Sequence, residues 1–200
     1  MTGQAKDGRA SGILVDMSAP LPPPRHPDET GEPYRICLVC LGNICRSPMA
    51  EVVLTAELAA AGLGDSVTVD SAGTGDWHVG HQMEAHARSE LARRGYDGSA
   101  HRARQVGPSW LTRRDLILAM DEQNLADLRQ MAAPTGAGSD RIRLFGEAGG
   151  LPSSDRDGLD IPDPYGGDAG DFGAVLDLIE TAARHITAQL TELLPGRATA

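Results

Sequence analysis

Lysine is almost absent from this sequence of 200 residues: Lys6 is the only one, and the other seventeen basic residues are arginines. A Walker-type phosphate loop requires a lysine of its own, and an enzyme that forms a Schiff base requires one in a pocket. Because Lys6 lies in a polar stretch with no predicted helix or strand, the sequence disfavours both classes of enzyme.

Positive charge is in deficit as well, since the formal net charge is −10. Lys and Arg drive the binding of nucleic-acid backbones and anionic membranes, so we expect neither as a partner. A small anionic substrate would need a local positive site within this negative field. No apolar run reaches the roughly 18 residues of a membrane span, and the start of the chain shows no signal-peptide pattern.

Cysteine is confined to Cys37, Cys40 and Cys45. A disulfide framework would spread its bridges along the chain, so this clustering predicts a reducing compartment and a cytoplasmic location.

Proline is concentrated at the start of the chain, where residues 20–24 read PLPPP. Such a segment favours an extended, hydrated conformation and has little apolar surface to bury. We therefore predict a disordered, proline-rich N-terminal tail at 1–33, followed by one domain at 34–195. Within the tail, Met17 is a candidate for the natural start. The tail is either a ligand for a proline-binding module or an inert extension, and its composition favours the latter.

Strands and helices alternate along the domain. Short apolar runs predict strands at 35–39, 67–69, 116–120 and 141–145, and longer amphipathic or alanine-rich patterns predict helices at 48–61, 84–94, 121–131 and 172–194. This alternation predicts an α/β fold, a three-layer sandwich with a central four-stranded parallel sheet. Ligands of such folds bind at the carboxyl ends of the strands.

The segment CLGNICRS at 40–47 lies between the first predicted strand and the first predicted helix. The N–H groups of such a turn, together with a helix N-terminus, form an anion site. Gly42 allows close approach of the backbone, Asn43 tolerates a left-handed conformation, and Arg46 can bind two phosphate oxygens at once. Cys40 faces the same dipoles and guanidinium, which favour the nucleophilic thiolate, and Ser47 can donate a hydrogen bond to its sulfur.

A cysteine nucleophile needs a general acid, and we expect it in the acidic, Gly/Pro-rich segment at 146–170. Asp163 stands between Pro162 and Pro164, which fix its backbone, and next to Tyr165. The residues alone leave open whether Asp163 is this acid or a solvated turn residue. Trp77 lies in a Gly-rich loop, which favours a pocket wall over core filling.

No metal site is predicted. The aspartates of the 146–170 segment lack the ligand order of an EF-hand. The closely spaced His78, His81 and His86 lack a fourth zinc ligand and are interpreted as surface residues.

The stretch VCLGNICRSPMAE at 39–51 resembles the signature of the low-molecular-weight protein-tyrosine phosphatases. The resemblance continues through SAGTGDW at 71–77, HRARQ at 101–105, MDEQNL at 120–125 and DPY at 163–165. The order and spacing of these segments fit the family from about 35 to 194.

The resemblance implies hydrolysis of phosphotyrosine through a cysteinyl-phosphate intermediate. Its implied catalytic residues are Cys40 as nucleophile, Arg46 as phosphate ligand, and Asp163 as general acid and then base. The implied substrate-binding residues are Leu41, Gly42, Asn43, Ile44, Cys45, Ser47, Trp77 and Tyr165. No metal or cofactor is expected, because Arg46 and the loop amides supply the positive field.

Three supporting residues are implied as well, namely Ser71, His101 and Asp121. By resemblance His101 acts through hydrogen bonds with Ser47 and Asp121, and Asp121 also suits a helix cap. The sequence departs from many members of the resembled family at Gly166. They carry a second tyrosine there, two residues after the proline that corresponds to Pro164. This departure puts the second aromatic wall of the pocket in doubt.

Two other enzyme activities and one binding function remain as alternatives. An arsenate reductase that uses an external small thiol would share the 40–47 loop. A phosphoarginine phosphatase tends to have threonine at the position of Ile44. A catalytically dead phosphate-binding module would be expected to have lost one of its catalytic residues. For the phosphatase, the expected partners are a phosphotyrosine protein and a tyrosine kinase as antagonist, and the expected state is a monomer or weak dimer.

Overall fold

Strands and helices follow one another along the chain, as the sequence predicts. The structure is a computed structural model that describes residues 19–25, 31–152 and 156–195. Its strands are β1 (Tyr34–Cys40), β2 (Val67–Gly73), β3 (Leu116–Ala119) and β4 (Ile142–Leu144). Its α-helices are α1 (Arg46–Ala60), α2 (Ala85–Arg93), α3 (Pro108–Arg113), α4 (Glu122–Ala132), α5 (Phe145–Ala148) and α6 (Ala169–Leu193). Two short 3-10 helices span Ser139–Arg141 and Arg156–Leu159.

The four strands form one parallel sheet in the order β2-β1-β3-β4. The chain therefore leaves the central strand β1 toward β2 on one side and later returns to β3 on the other. Such a reversal of strand order opens a crevice at the carboxyl end of the central strand. Cys40 is the last residue of β1 and pairs with Gly73, the last residue of β2.

Helices cover both faces of the sheet, which confirms the predicted three-layer sandwich. Ile36 and Leu38 of β1 face the larger apolar core, to which α1, α2 and α6 contribute. The alternate residues Cys37 and Val39 face the smaller core, which contains residues of α3 and α4. Because β1 is buried on both faces, its sequence is apolar at nearly every position.

Two helices begin earlier than the sequence indicates. The first begins at Arg46 rather than at Pro48, which places Arg46 in the first turn beside the 40–47 loop. The last begins at Ala169 rather than at Phe172, because Asp168 forms a capping box with Asp171.

Part of the predicted tail is packed on the domain. Residues 19–25 lie along its surface, and Leu21 is only 5% exposed. Residues 19–25 are therefore ordered, although the tail at 1–33 was predicted to be disordered. The low apolar content of the tail did not reveal that its proline carbonyls accept hydrogen bonds from the domain. Met17 and the rest of 1–18 and 26–30 lie outside the described residues. In the parts of the chain that the structure describes, no helix is long and apolar enough to cross a membrane.

Candidate active site

Asn43 holds the 40–47 loop in its conformation. Its φ is 53°, in the left-handed region that asparagine tolerates better than most residues. Its buried side-chain amide donates hydrogen bonds to Ser47 Oγ over 2.9 Å and to Ser71 Oγ over 2.8 Å. Its amide oxygen accepts the backbone N–H of Arg104 over 2.8 Å. The first bond is internal to the loop, and the other two join the loop to β2 and to the segment before α3.

The sulfur of Cys40 receives hydrogen bonds from the loop. The backbone N–H of Asn43 lies 3.2 Å from Sγ, and Ser47 Oγ lies 3.0 Å from it. Because Ser47 Oγ already accepts a hydrogen bond from the Asn43 amide, its own proton is free to point at the sulfur. The Ala72 carbonyl, 3.4 Å from Ser47 Oγ, is a more distant acceptor for that proton. Both donors stabilise negative charge on Cys40.

Arg46 lies beside this sulfur with its side chain 4% exposed. Its Nη1 donates to Asp121 over 2.6 Å and to the Ile161 carbonyl over 3.1 Å, while Nη2 donates to Asp163 over 2.9 Å. Burial acts to lower the pKa of Arg46. The pKa is nevertheless raised, because Cys40 and both carboxylates lie close to the guanidinium.

One donor of Arg46 is left over. Its Nε is buried and has no hydrogen-bond partner among the described residues. An unpaired buried donor is costly, and in this position an anion beside Cys40 would satisfy it. The guanidinium is thus fixed at Nη1 by Asp121 and Ile161 and at Nη2 by Asp163, and its Nε remains the donor available to an anion.

Two carboxylates flank the guanidinium from different elements. Asp121 caps α4, as the sequence allows, since one carboxylate oxygen accepts the N–H of Asn124 over 2.7 Å. The other oxygen binds Arg46 rather than the expected His101. Asp163 has a side chain that is 45% exposed, and its second oxygen accepts the N–H of Tyr165 over 3.2 Å. Asp163 is therefore the carboxylate at the mouth of the site.

A cavity of about 120 Å³ opens above the sulfur. It is lined by Cys40, Leu41, Gly42, Ile44, Cys45, Trp77, His78, Asp163 and Tyr165. The large side chains at its rim are exposed: Leu41 by 44%, Trp77 by 68% and Tyr165 by 63%. A Cβ at Gly75 would lie 1.8 Å from the indole ring, so a side chain there would force Trp77 to move from this position. The cavity thus combines an anion-binding floor with an apolar rim.

His78 belongs to this cavity, and its assignment to the surface alone was wrong. Its ring centroid lies 6.3 Å from that of Tyr165, and a Cβ on Gly42 would come within 3.0 Å of the imidazole. In the sequence, the position of His78 next to Trp77 was the signal that could have placed it in the cavity. Gly166 has a φ of 83°, which favours glycine, and Gly167 N donates to the Pro164 carbonyl across this turn. The imidazole thus adds a second ring near Tyr165 in the cavity wall.

His101 supports the loop through a different partner from the one expected. Its Nε2 donates to the Asn43 carbonyl over 2.8 Å, so the expected bonds to Ser47 and Asp121 are replaced by one to the loop backbone. Burial lowers the pKa of His101, and Arg104 and Arg102 lower it further, against the effect of the Asn43 bond. The neutral ring is therefore favoured, with its proton on Nε2.

Glu51 is a supporting residue that sequence reasoning missed. It accepts the hydroxyl proton of Ser71, and its Oε2 lies 3.9 Å from His101 Nδ1. Burial raises the pKa of Glu51, although Ser71 and Arg104 oppose this. Glu51 follows Ser47 by four residues on α1, so helical spacing was the signal that could have placed both on one face.

The structure brings the predicted site residues into one region at the carboxyl ends of β1, β2 and β3. Cys45 lies in the cavity wall, where burial raises the pKa of its thiol, so it is a neutral neighbour of Cys40. Among the described residues there is no cluster of three His, Cys, Asp or Glu side chains that could hold a metal ion.

Asn43→Gly is expected to lower both stability and turnover. Glycine permits the positive φ but removes three buried hydrogen bonds, so the free energy of unfolding should fall by about 2–4 kcal/mol. Urea unfolding of the variant measures this loss. Asn43→Ala, which adds backbone strain to the same deletion, should be less stable by roughly 1–2 kcal/mol more. If Asn43→Gly is as stable as the original chain, the amide bonds do not hold the loop.

Comparison with known proteins places this geometry in a family. Residues 35–194 match the family model described as low molecular weight phosphotyrosine protein phosphatase. A low molecular weight protein-tyrosine-phosphatase of Streptomyces coelicolor is 44% identical over 165 residues, which cover 82% of this chain and 98% of that protein. The crystal structure of YfkJ from Bacillus subtilis superposes with a TM-score of 0.72 at 36% identity, covering 82% of this chain and 98% of YfkJ. Wzb of Vibrio vulnificus, in complex with benzylphosphonate, gives a TM-score of 0.65 at 30% identity and covers 78% and 97% of the two chains.

Proposed function

Because the chain belongs to the low molecular weight phosphotyrosine protein phosphatase family, we propose that it hydrolyses phosphotyrosine in proteins through a phosphocysteine at Cys40. The observation that carries this proposal is that the hydrogen-bonded sulfur of Cys40 and the carboxylate of Asp163 line one small cavity. Arg46, which binds Asp163, adds a buried Nε that has no partner among the described residues.

Substrate binding uses the floor of the cavity. The phosphate dianion lies against the N–H groups of the 40–47 loop and accepts from Arg46 Nε, which pairs the buried donor. It also competes with Asp163 for Arg46 Nη2. Displacement from Nη2 leaves one oxygen of Asp163 available to act as the general acid.

The first chemical step forms a bond from Cys40 Sγ to phosphorus and breaks the bond from phosphorus to the phenolic oxygen. Arg46 and the loop amides stabilise the charge on the equatorial oxygens. Asp163 gives its proton to the leaving oxygen, so a neutral phenol departs. Its half-exposed position at the cavity mouth suits it to this role.

In the second step a water molecule attacks the phosphocysteine. Asp163, now a carboxylate, takes the proton of this water, the sulfur–phosphorus bond breaks, and inorganic phosphate forms. The departing thiolate recovers the hydrogen bonds of Ser47 and the Asn43 N–H, which stabilise it as a leaving group. Ser47 therefore matters most in this second step.

The rim of the cavity supports an aromatic substrate. Trp77 and Tyr165 both line the cavity and are exposed, and offset contact of two aromatic rings contributes about 0.5–1.5 kcal/mol beyond area burial. Wzb, a related structure, holds benzylphosphonate, which carries an aromatic ring next to a phosphonate. We propose that the phosphotyrosine ring lies between Trp77 and Tyr165.

The test is release of phosphate from two peptides of one sequence, the first with phosphotyrosine and the second with phosphoserine. We expect kcat/KM for the phosphotyrosine peptide to be higher by at least about tenfold, which is the effect of roughly 1.4 kcal/mol of ring contact. Equal rates would contradict the role of the aromatic rim. No release from either peptide by a folded, reduced protein would contradict the phosphatase function itself.

Neither alternative enzyme activity is favoured by the comparisons, since the relatives are named as tyrosine phosphatases. The apolar side chain of Ile44 lies in the cavity wall, which suits an aryl group better than the guanidinium of phosphoarginine. We further propose a cytoplasmic location, a monomer or weak dimer, and a tyrosine kinase as antagonist.

A further inference from the structure

Residues 19–25, here called the strap, bind the domain through their backbone carbonyls. Arg143 Nη1 donates to the carbonyls of Ala19 and Pro20, over 2.7 and 3.3 Å. The Tyr34 hydroxyl donates to the Pro22 carbonyl over 2.8 Å. Proline has no N–H, so the carbonyls are its only backbone hydrogen-bonding groups. The domain supplies the complementary donors.

A side chain anchors the same segment. Leu21 is 5% exposed and joins the main core, while its neighbours Ala19 and Pro23 are exposed. The carbonyl of Pro23 accepts Arg141 Nη1 over 2.9 Å. Leu21 and Pro22 are buried between the exposed Pro20 and Pro23, and the carbonyls are bound by arginine and tyrosine side chains. This is the pattern of an extended peptide recognised in a groove.

The end of the strap is fixed by Arg25 and Asp115. The carboxylate of Asp115, a residue that is 6% exposed, accepts the backbone N–H of Arg25 over 2.6 Å and that of Arg35 over 2.8 Å. The Arg25 guanidinium donates to the carbonyls of Arg114 and Leu111, over 2.7 and 3.2 Å. These carbonyls belong to the last turn of α3 and its C-cap, where a cation is favoured.

Two buried polar side chains of the domain depend on the strap for hydrogen-bond acceptors. Tyr34 is fully buried and Arg143 is 7% exposed, and the strap accepts the hydroxyl proton of the first and a guanidinium bond of the second. Buried donors without partners are rare in folded proteins. A domain lacking the strap would leave the Tyr34 hydroxyl without its acceptor and Asp115 with one donor fewer.

The strap lies at the opposite end of the sheet from the catalytic site. Tyr34 is the first residue of β1, Asp115 precedes β3 and Arg141 precedes β4, whereas Cys40 ends β1. The family match begins at residue 35, so the strap is an addition to the matched domain.

We propose that Tyr34, Asp115, Arg141 and Arg143, with the core surface under Leu21, form a recognition groove for an extended proline-rich segment, and that residues 19–25 of the same chain occupy it. The PLPPP sequence at 20–24 is therefore an internal ligand that stabilises the domain. While the strap is bound, this sequence is withheld from other proline-binding proteins.

The test compares Leu21→Asp with Ala19→Asp in the full chain. Both variants add one carboxylate to the strap, but only Leu21 is buried. We expect Leu21→Asp to lower Tm by about 5 °C or more and Ala19→Asp by less than about 1 °C. Trypsin cleavage after Arg25 should become at least about tenfold faster in Leu21→Asp only, because a docked backbone resists proteolysis. Turnover of p-nitrophenyl phosphate below the melting range should be unchanged in both. Equal Tm and equal cleavage rates in the two variants would overturn the proposal.

A synthetic peptide of residues 17–27 tests the groove directly. Fluorescence anisotropy should show the labelled peptide binding to the Leu21→Asp variant, whose groove is emptied, and far more weakly to the original chain. Equal binding to both proteins would overturn occupancy by the chain's own strap. A dimer of the original chain that dissociates in Leu21→Asp, seen by sedimentation, would assign the strap to a second copy and would also overturn it.

Discussion

Cys40→Ser is expected to reduce phosphate release by at least about 10⁴-fold, since removing the covalent nucleophile of a serine protease costs roughly 10⁶. The serine hydroxyl would occupy the position of the sulfur within reach of Ser47 and the Asn43 N–H. It would remain a neutral alcohol there, because two hydrogen bonds do not ionise a hydroxyl. Steady-state turnover of a phosphotyrosine peptide measures the loss.

Binding should survive in this variant, which provides the control. The floor of the site consists of the loop N–H groups and Arg46, and the substitution changes neither. Stabilisation of the folded protein by inorganic phosphate in thermal unfolding should therefore be similar for both proteins. Activity within tenfold of the original, in a serine variant that binds phosphate normally, would refute a phosphocysteine mechanism.

Asp163→Ala is expected to slow a poor leaving group by about 10²–10⁴-fold, the usual contribution of a general acid. Phenyl phosphate and phosphotyrosine leave as phenols and need this proton. p-Nitrophenyl phosphate releases a stabilised phenolate and needs it much less. The ratio of the two kcat values should therefore change strongly in the variant, and kinetics with a series of aryl phosphates measures it.

Asp163→Asn is the matched control for this prediction, because it keeps the size and the contact to Arg46 while removing the acid. It should show the same dependence on the leaving group as the alanine variant. An equal loss for all leaving groups would instead mean that Asp163 acts by orienting Arg46. The ion pair between Arg46 and Asp163 makes that the main competing explanation.

The features that could be predicted from the sequence are those formed by residues close to one another along the chain. The strand-to-helix position of the 40–47 loop, the left-handed Asn43 and the sulfur–serine pair all depend on residues within eight positions of each other. The parallel sheet followed from the alternation of apolar runs and helical patterns. Asp163 could be singled out as a site carboxylate because prolines on both sides mark a rigid turn and because the family resemblance supports it.

Contacts between distant segments explain what it missed. His101 meets the loop through a backbone carbonyl 58 residues away, and no side-chain pattern reveals a carbonyl as a partner. His78 enters the cavity because Gly42 leaves room for its ring. The strap is ordered by Arg141 and Arg143, which follow it by about 120 residues. In each case the partner was fixed by the tertiary fold rather than by sequence spacing.

The most direct test of the account is to trap the covalent intermediate. The protein is mixed rapidly with p-nitrophenyl phosphate, quenched in acid within the first turnovers, digested and examined by mass spectrometry. We expect one phosphoryl group on the peptide that contains Cys40, accompanied by a burst of p-nitrophenol close to one per enzyme, with neither in Cys40→Ser. Turnover with no phosphorylated peptide at any quench time, or with the phosphoryl group on another residue, would contradict it.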